Sequence, residues 1–168
     1  SILAGCSSKT LKTIDKLEVE YGTPISTSIE TYLSDGINKE DKEKILDTGK
    51  VAILDDKKVE GKDYQALGEY TVQISYEEEV NKVTVLVKDS VKPVFKDFKE
   101  SVDAYQDVKI DFAKIYTAED LSQVTISADD SQVDYTKEGS YKATVTATDE
   151  GGNTETKEVT VNVKKPEI

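Results

Sequence analysis

The 168-residue chain has no His, Met, Trp or Arg, one Cys and three Pro. Without His, the commonest general base and metal ligand is missing. Without Arg there is no planar fork to grip carboxylate or phosphate bidentately. All 22 basic residues are Lys, set against 34 Asp and Glu, for a net charge of −12. A chain this acidic repels a phosphate backbone, so nucleic acid is not expected as a partner. A single Cys excludes an internal disulfide, and any core must hold by packing alone. No run of about 18 apolar residues occurs, so no helix is expected to span a bilayer. The length suits one ordinary domain or two small ones.

The lone Cys has a context. The chain opens Ser1-Ile2-Leu3-Ala4-Gly5-Cys6. Leu, two small residues and Cys resemble the end of a bacterial lipoprotein signal peptide. Small residues let an extended backbone enter a peptidase cleft. The Cys6 thiol is the soft nucleophile that would form a lipid thioether. The resemblance implies a diacylglyceryl anchor at Cys6 and display on the outer face of the cytoplasmic membrane. It also implies a charged and apolar leader preceding Ser1. Ser7-Ser8-Lys9-Thr10 reads as a polar tether.

An internal repeat organises the rest. Tyr64, Gly68 and Tyr70 each recur 71 residues later, as Tyr135, Gly139 and Tyr141. Alternation follows each copy, with Tyr70, Val72, Ile74 and Tyr76 on one face and Tyr141, Ala143, Val145 and Ala147 on the other copy's equivalent. Period two with β-branched residues predicts half-buried strands. A second strand closes each copy, Val83–Val87 matching Val159–Val163 at a spacing of 76. The five added residues fall in the turn, where Asp149-Glu150-Gly151-Gly152-Asn153 replaces the acidic Glu77-Glu78-Glu79. Gly and Asn supply the positive φ that hairpin turns need. Earlier in each copy, Ile25, Ile29 and Leu33 align with Val108, Phe112 and Tyr116, and Val51–Ile53 aligns with Val124–Ile126.

The first copy carries extra residues that read as a short helix. Asn38 is its N-cap, Glu40 and Asp41 occupy the first turn, and Gly49 follows its end. Thr117–Leu121 is expected to make a single turn in the second copy. Lys88-Asp89-Ser90-Val91-Lys92-Pro93 reads as the boundary, because Pro favours extended linkers. The expected organisation is a tether at 1–11, a first domain at 12–89 and a second at 90–168. The Lys164-Lys165-Pro166 echo of that boundary suggests a further linker and module beyond Ile168.

Gly139-Ser140-Tyr141, the alternating strand, the Asp149–Asn153 turn and Val159–Val163 resemble bacterial immunoglobulin-like repeats, akin to hyalin and cadherin-like modules. The resemblance covers most of 91–163 and is looser over the first copy. It implies an all-β fold, two tandem immunoglobulin-like β-sandwiches with a helical insertion in the first, on an exported protein of a Gram-positive-type bacterium. The Tyr after Gly resembles a tyrosine corner. Such a fold says nearly nothing about ligand.

Candidate sites are few. Asp55-Asp56, Asp129-Asp130 and Glu77-Glu78-Glu79 are adjacent residues, and neighbours on a strand point to opposite faces. They do not make the opposed carboxyl pair that general acid work needs. No nucleophile motif stands out. No catalytic residue and no cofactor are expected. Calcium takes six to eight oxygens, and by analogy with cadherin-like linkers Asp89, Asp149 and Asn153 would be its ligands. No EF-hand spacing is present, and Asp149 and Asn153 equally shape an Asx turn, so a solvated turn is the preferred reading and no metal site is assigned. Sugar platforms use exposed aromatics, and Tyr64, Tyr70, Tyr135 and Tyr141 are repeat positions, hence structural. The expectation is therefore a non-enzymatic, lipid-anchored surface protein that binds a protein partner through sheet edges or loops. The alternatives are a stalk spacing another domain from the membrane, or the glycan-binding accessory of a secreted enzyme.

Overall fold

The computed structural model describes residues 9–166. The proposed lipidation site, Cys6, lies outside the described residues. The chain divides between Lys88 and Asp89 into two compact units, each with its own hydrophobic core.

In the first unit, β1 (Lys16–Glu20), α1 (Lys39–Thr48), β2 (Lys50–Leu54), β3 (Gly68–Tyr76) and β4 (Glu79–Lys88) follow in sequence. The sheet order is β1-β4-β3-β2. β3 and β4 form the hairpin expected from the alternation, with Tyr70 opposite Val85 and Val72 opposite Val83. β1 runs parallel to β4. Val72, Ile74, Val83 and Val85 are fully buried on the inner face. Against them pack Leu11, Ile29, Tyr32 and Ile45, from the entering chain, a 3-10 turn (Ile29–Tyr32) and α1. Asn38 caps α1 as its sequence predicts, its side chain accepting from the Asp41 N–H at 2.8 Å. Ile45 is buried while Leu46 stays exposed, so one residue anchors the helix.

In the second unit, β5 (Val94–Lys96), β6 (Ser101–Tyr105), α2 (Phe112–Ile115), β7 (Thr117–Glu119), β8 (Thr125–Asp129), β9 (Gly139–Thr148) and β10 (Thr154–Lys164) follow in sequence. The four-stranded order β6-β10-β9-β8 repeats that of the first unit, and β6 is parallel to β10. Ala143, Val145, Ala147, Val159 and Val161 face the core. Its covering layer includes a second sheet, the β5–β7 ladder. In the first unit the corresponding contact shrinks to one isolated bridge, Thr13 to Leu33. The fold is all-β, with one regular sheet facing a less regular layer in the first unit and two sheets in the second.

Four expectations need correction. Thr117–Leu121 is not a helical turn: Thr117–Glu119 is strand β7, and the turn of helix lies just before it. Val108 is 58% exposed and does not share the buried position of Ile25. Val51 stands opposite Ile74, whose counterpart Val145 stands opposite Ala128, so Val124–Ile126 is displaced by four residues from the true equivalent of Val51–Ile53. An even displacement leaves the inward and outward faces unchanged, which is why alternation could not detect it. Finally, Tyr70 is buried but Tyr141 is only partly so. Both phenols nevertheless close the same corner, Tyr70 Oη donating to the Ala66 carbonyl at 2.7 Å and Tyr141 Oη to the Lys137 carbonyl at 2.9 Å.

Candidate carboxylate centre

Three aspartates from three separate turns of the second unit meet at one point. Asp89 begins the unit, Asp120 follows β7, and Asp149 opens the β9–β10 turn. One carboxylate oxygen from each lies within 4.8 Å of the others. Asp89 is 7% exposed and Asp149 5%, with Asp120 partly buried. Of these, the sequence singled out Asp89 and Asp149 and missed Asp120.

Local backbone chemistry positions each group. Asp89 Oδ1 accepts from the Val91 N–H at 3.0 Å, an Asx turn that opens the unit. Asp120 Oδ2 accepts from the Ser122 N–H at 3.1 Å in a second such turn. Asp149 Oδ1 accepts from the Asn153 N–H at 2.8 Å, closing the five-residue hairpin turn. Gly152 sits there at φ 84°, the conformation this turn requires. Gly151 is needed for a different reason: a Cβ there would lie 2.7 Å from the Asp89 carbonyl oxygen and 2.9 Å from Asp89 Cβ. Glycine therefore lets the hairpin tip lie against residue 89.

Ser122 and Asn153 knit the three together. Ser122 Oγ lies 3.0 Å from Asp89 Oδ2 and 3.0 Å from Asp120 Oδ2. It has one hydrogen, so it donates to one carboxylate at a time, and it accepts from the Glu150 N–H at 3.2 Å. Asn153 Nδ2 donates to the Asp89 carbonyl at 2.6 Å and to Asp149 Oδ2 at 3.1 Å. Asn153 thus acts as a donor to the cluster, where a calcium site would have used its oxygen.

Buried like charges at this separation cannot all ionise cheaply. Burial, and then the neighbouring Asp120 carboxylate, push the Asp89 carboxyl up to about 6. Burial also pushes Asp120 upward, but its hydrogen bonds with Asp89 and with the Ser122 backbone and hydroxyl overcome it and hold Asp120 below the usual carboxylate range. The two shifts belong to one interacting pair, in which Asp89 takes up a proton before Asp120 does as the pH falls. A divalent cation is the other way to relieve the charge. Asp89, Asp120 and Asp149 would be its ligands, with Ser122 Oγ a fourth. Among the described residues, backbone N–H groups and the Asn153 amide already donate to Asp89 Oδ1, Asp120 Oδ2 and both Asp149 oxygens.

The remaining acidic runs hold turns. Asp56 Oδ1 accepts from Gln65 Nε2 at 3.0 Å, and the buried Gln65 in turn accepts from the Ile25 N–H at 2.8 Å. Asp130 Oδ2 accepts from Tyr135 Oη at 2.6 Å. Glu79 Oε1 accepts from the Leu11 N–H at 3.1 Å. Tyr32, Tyr76 and Tyr116 are buried, and Tyr105 is exposed.

No family model and no curated protein matches this sequence. Solved structures that match along most of the chain share little sequence with it. A human mucin-like protocadherin EC1-2 fragment is 14% identical, over 90% of this chain and 96% of that one, with a TM-score of 0.36. The fibronectin(III)-like modules of Clostridium thermocellum CbhA are 18% identical, over 92% and 91%, with a TM-score of 0.33. Domains 4 and 5 of the S-layer protein SbsC are 17% identical, over 79% and 85%, with a TM-score of 0.27. At these scores nothing about binding transfers, and the all-β assignment rests on the strands themselves.

Proposed function

We propose that this chain is a non-catalytic interaction module, anchored by lipid at Cys6 to the outer face of a Gram-positive-type cell membrane, whose partner is a protein. The observation that carries the reading is the open sheet edge. In each unit the four-stranded sheet ends in strands hydrogen-bonded on one side only: β1 and β2 in the first, β6 and β8 in the second. Such edges present unpaired N–H and C=O groups that can accept a partner's strand. The anchor reading is supported by Leu3-Ala4-Gly5-Cys6 alone. One acyl chain binds membranes only marginally, whereas two hold stably.

The test is binding of labelled residues 12–168 to envelope proteins, matrix proteins and polysaccharides. Saturable binding to protein is expected. Binding to polysaccharide alone would favour the accessory-module reading, and binding to nothing by folded protein would favour the stalk. For the anchor, protein expressed with its native leader should enter the detergent phase, and Cys6→Ala should not. Equal partition of the two would end the lipid reading.

A further inference from the structure

The four open edges are not alike, and β8 is set apart by what lies beside it. Two adjoining open cavities, of about 390 and 410 Å³, run along β8 and share Ala113 and Ile126 in their walls. Together they form a groove between β8 and α2. Its lining is mixed, with Ile110, Phe112, Ala113 and Tyr116 facing Ile126 and Ala128 as its apolar part. Ile126 and Ala128 stand opposite the buried Ala147 and Val145, so they belong to the inner face of the sheet. Thr125, Ser127 and Asp129 alternate onto the outer face. Edge strands are ordinarily blunted by Lys, Pro or a bulge. β1 and β2 begin with Lys16 and Lys50, whereas β6 and β8 carry neither Lys nor Pro, and of these two it is β8 that borders this groove.

We propose that the open edge of β8 receives an extended, lysine-bearing strand of a partner protein, which pairs with Thr125–Asp129 and lays alternate apolar side chains into the groove against α2. The proposal rests on the protein-binding reading above and names its surface and the chemistry of its partner. Backbone pairing would supply the affinity, and the groove would select side chains at every second position. Charge sets the rest. Asp111 and Asp130 line the groove beside Lys109, Lys114 already lies 3.9 Å from Asp111, and Asp129 is exposed at the end of β8 on its outer face. A Lys on the outer face of the incoming strand would stand across from Asp129, a favourable cross-strand pair. A second copy of this chain fits poorly, because it would bring two carboxylate borders and two chains of charge −12 together.

The test uses the full chain and a capped peptide of sequence Thr-Lys-Val-Thr-Val-Lys-Thr, titrated by fluorescence anisotropy with amide exchange read in parallel. Saturable binding with new protection confined to 125–129 is expected. N-methylation of both valines, which removes backbone pairing but keeps the side chains, should weaken binding at least tenfold. Ala113→Arg, which fills the groove, should do the same. Ser127→Lys, on the exposed outer face, should weaken it by like-charge repulsion and guards against misfolding of the first variant. No saturable binding at millimolar peptide, or equal binding after N-methylation, would overturn the proposal. So would protection at 125–129 that appears without peptide and grows with protein concentration, since that identifies a second copy as the occupant. If the chain binds an envelope protein and Ala113→Arg leaves that binding unchanged, the β8 assignment fails while the protein-binding reading stands.

Discussion

The two units share one sheet and differ in how they secure its hairpin. In both, the hairpin reaches back to the residues with which the unit begins. In the first, Glu79 Oε1 takes the Leu11 N–H, and Asn81 Nδ2 donates to the Leu11 carbonyl at 3.3 Å. The β3–β4 turn there is only two residues, with Glu77 held at φ 52°. In the second, a five-residue turn is long enough to place Asp149 and Asn153 against Asp89, and Asp120 and Ser122 complete the contact. The first arrangement uses one carboxylate whose lone pairs remain near solvent. The second buries two carboxylates against a partly buried third and becomes sensitive to protons. Extra turn length has exchanged a simple hydrogen bond for a titratable one.

The largest test of this comparison is in the cores. Tyr70→Ala removes a buried ring and a hydroxyl whose one hydrogen is shared between the Lys57 and Ala66 carbonyls. It should cost the first unit about 3–5 kcal/mol. Tyr141→Ala removes a ring that is only partly buried, and should cost the second unit about 1–2 kcal/mol. Unit-resolved amide exchange would separate the two. Equal losses would mean the corners are equivalent after all.

Next comes the hairpin tip. Gly151→Ala forces a Cβ against the Asp89 backbone and should destabilise the second unit by about 1–3 kcal/mol. The first unit should be unaffected by it. A neutral result would show that residue 89 can move away without loss.

The proton offers a finer test. The folded Asp89 carboxyl lies at about 6, above its ordinary value of 3.8. Its stabilising contribution is therefore full below about pH 4 and lost as pH rises through 6. Asp120, lowered, works in the opposite sense and offsets part of this at acid pH. The second unit should melt higher at pH 5 than at pH 7.5. Asp89→Asn keeps the shape, supplies an amide donor toward Asp120 and needs no proton, so it should gain about 1–2 kcal/mol at pH 7.5 and little at pH 5. A calcium-dependent rise in the wild-type melting temperature that Asp89→Asn abolishes would instead identify the cluster as a cation site. The smallest effect belongs to the first unit: Asn38→Ala removes the α1 cap and should cost about 1 kcal/mol, read by thermal melting.

Much of the fold was legible because hairpins repeat locally. The Tyr-Gly-Tyr spacing and the alternation that follows placed β3–β4 and β9–β10 in correct register, and Asn38 marked its helix by a cap that acts within one turn. The edge strands were not legible. β1 and β6 share no repeated residues, yet their backbones repeat to the atom: Asp15 and Glu100 accept from Thr84 and Thr160, and the N–H groups of Tyr21 and Gln106 donate to Lys88 and Lys164. Parallel pairing to a distant strand is dictated by the backbone and leaves little trace in side chains. Of the carboxylate centre, Asp89 and Asp149 were visible because each adjoins turn residues. Asp120 and Ser122 were hidden because β7, three residues long, was read as helix, and only its pairing with β5 brings them to the site.

The parallel ladders β1–β4 and β6–β10 have a mechanical consequence. Parallel neighbours point their opposite ends outward, so tension between the start of β1 and the end of β4, or the start of β6 and the end of β10, slides one strand along the other. Five residue pairs resist in each case, loaded side by side. A hairpin pulled from its open end would yield one rung at a time, whereas these ladders must shear as a set. Forced unfolding is governed by the rate of crossing that barrier, not by equilibrium stability. Each of these ladders is thus braced against tension along its strands.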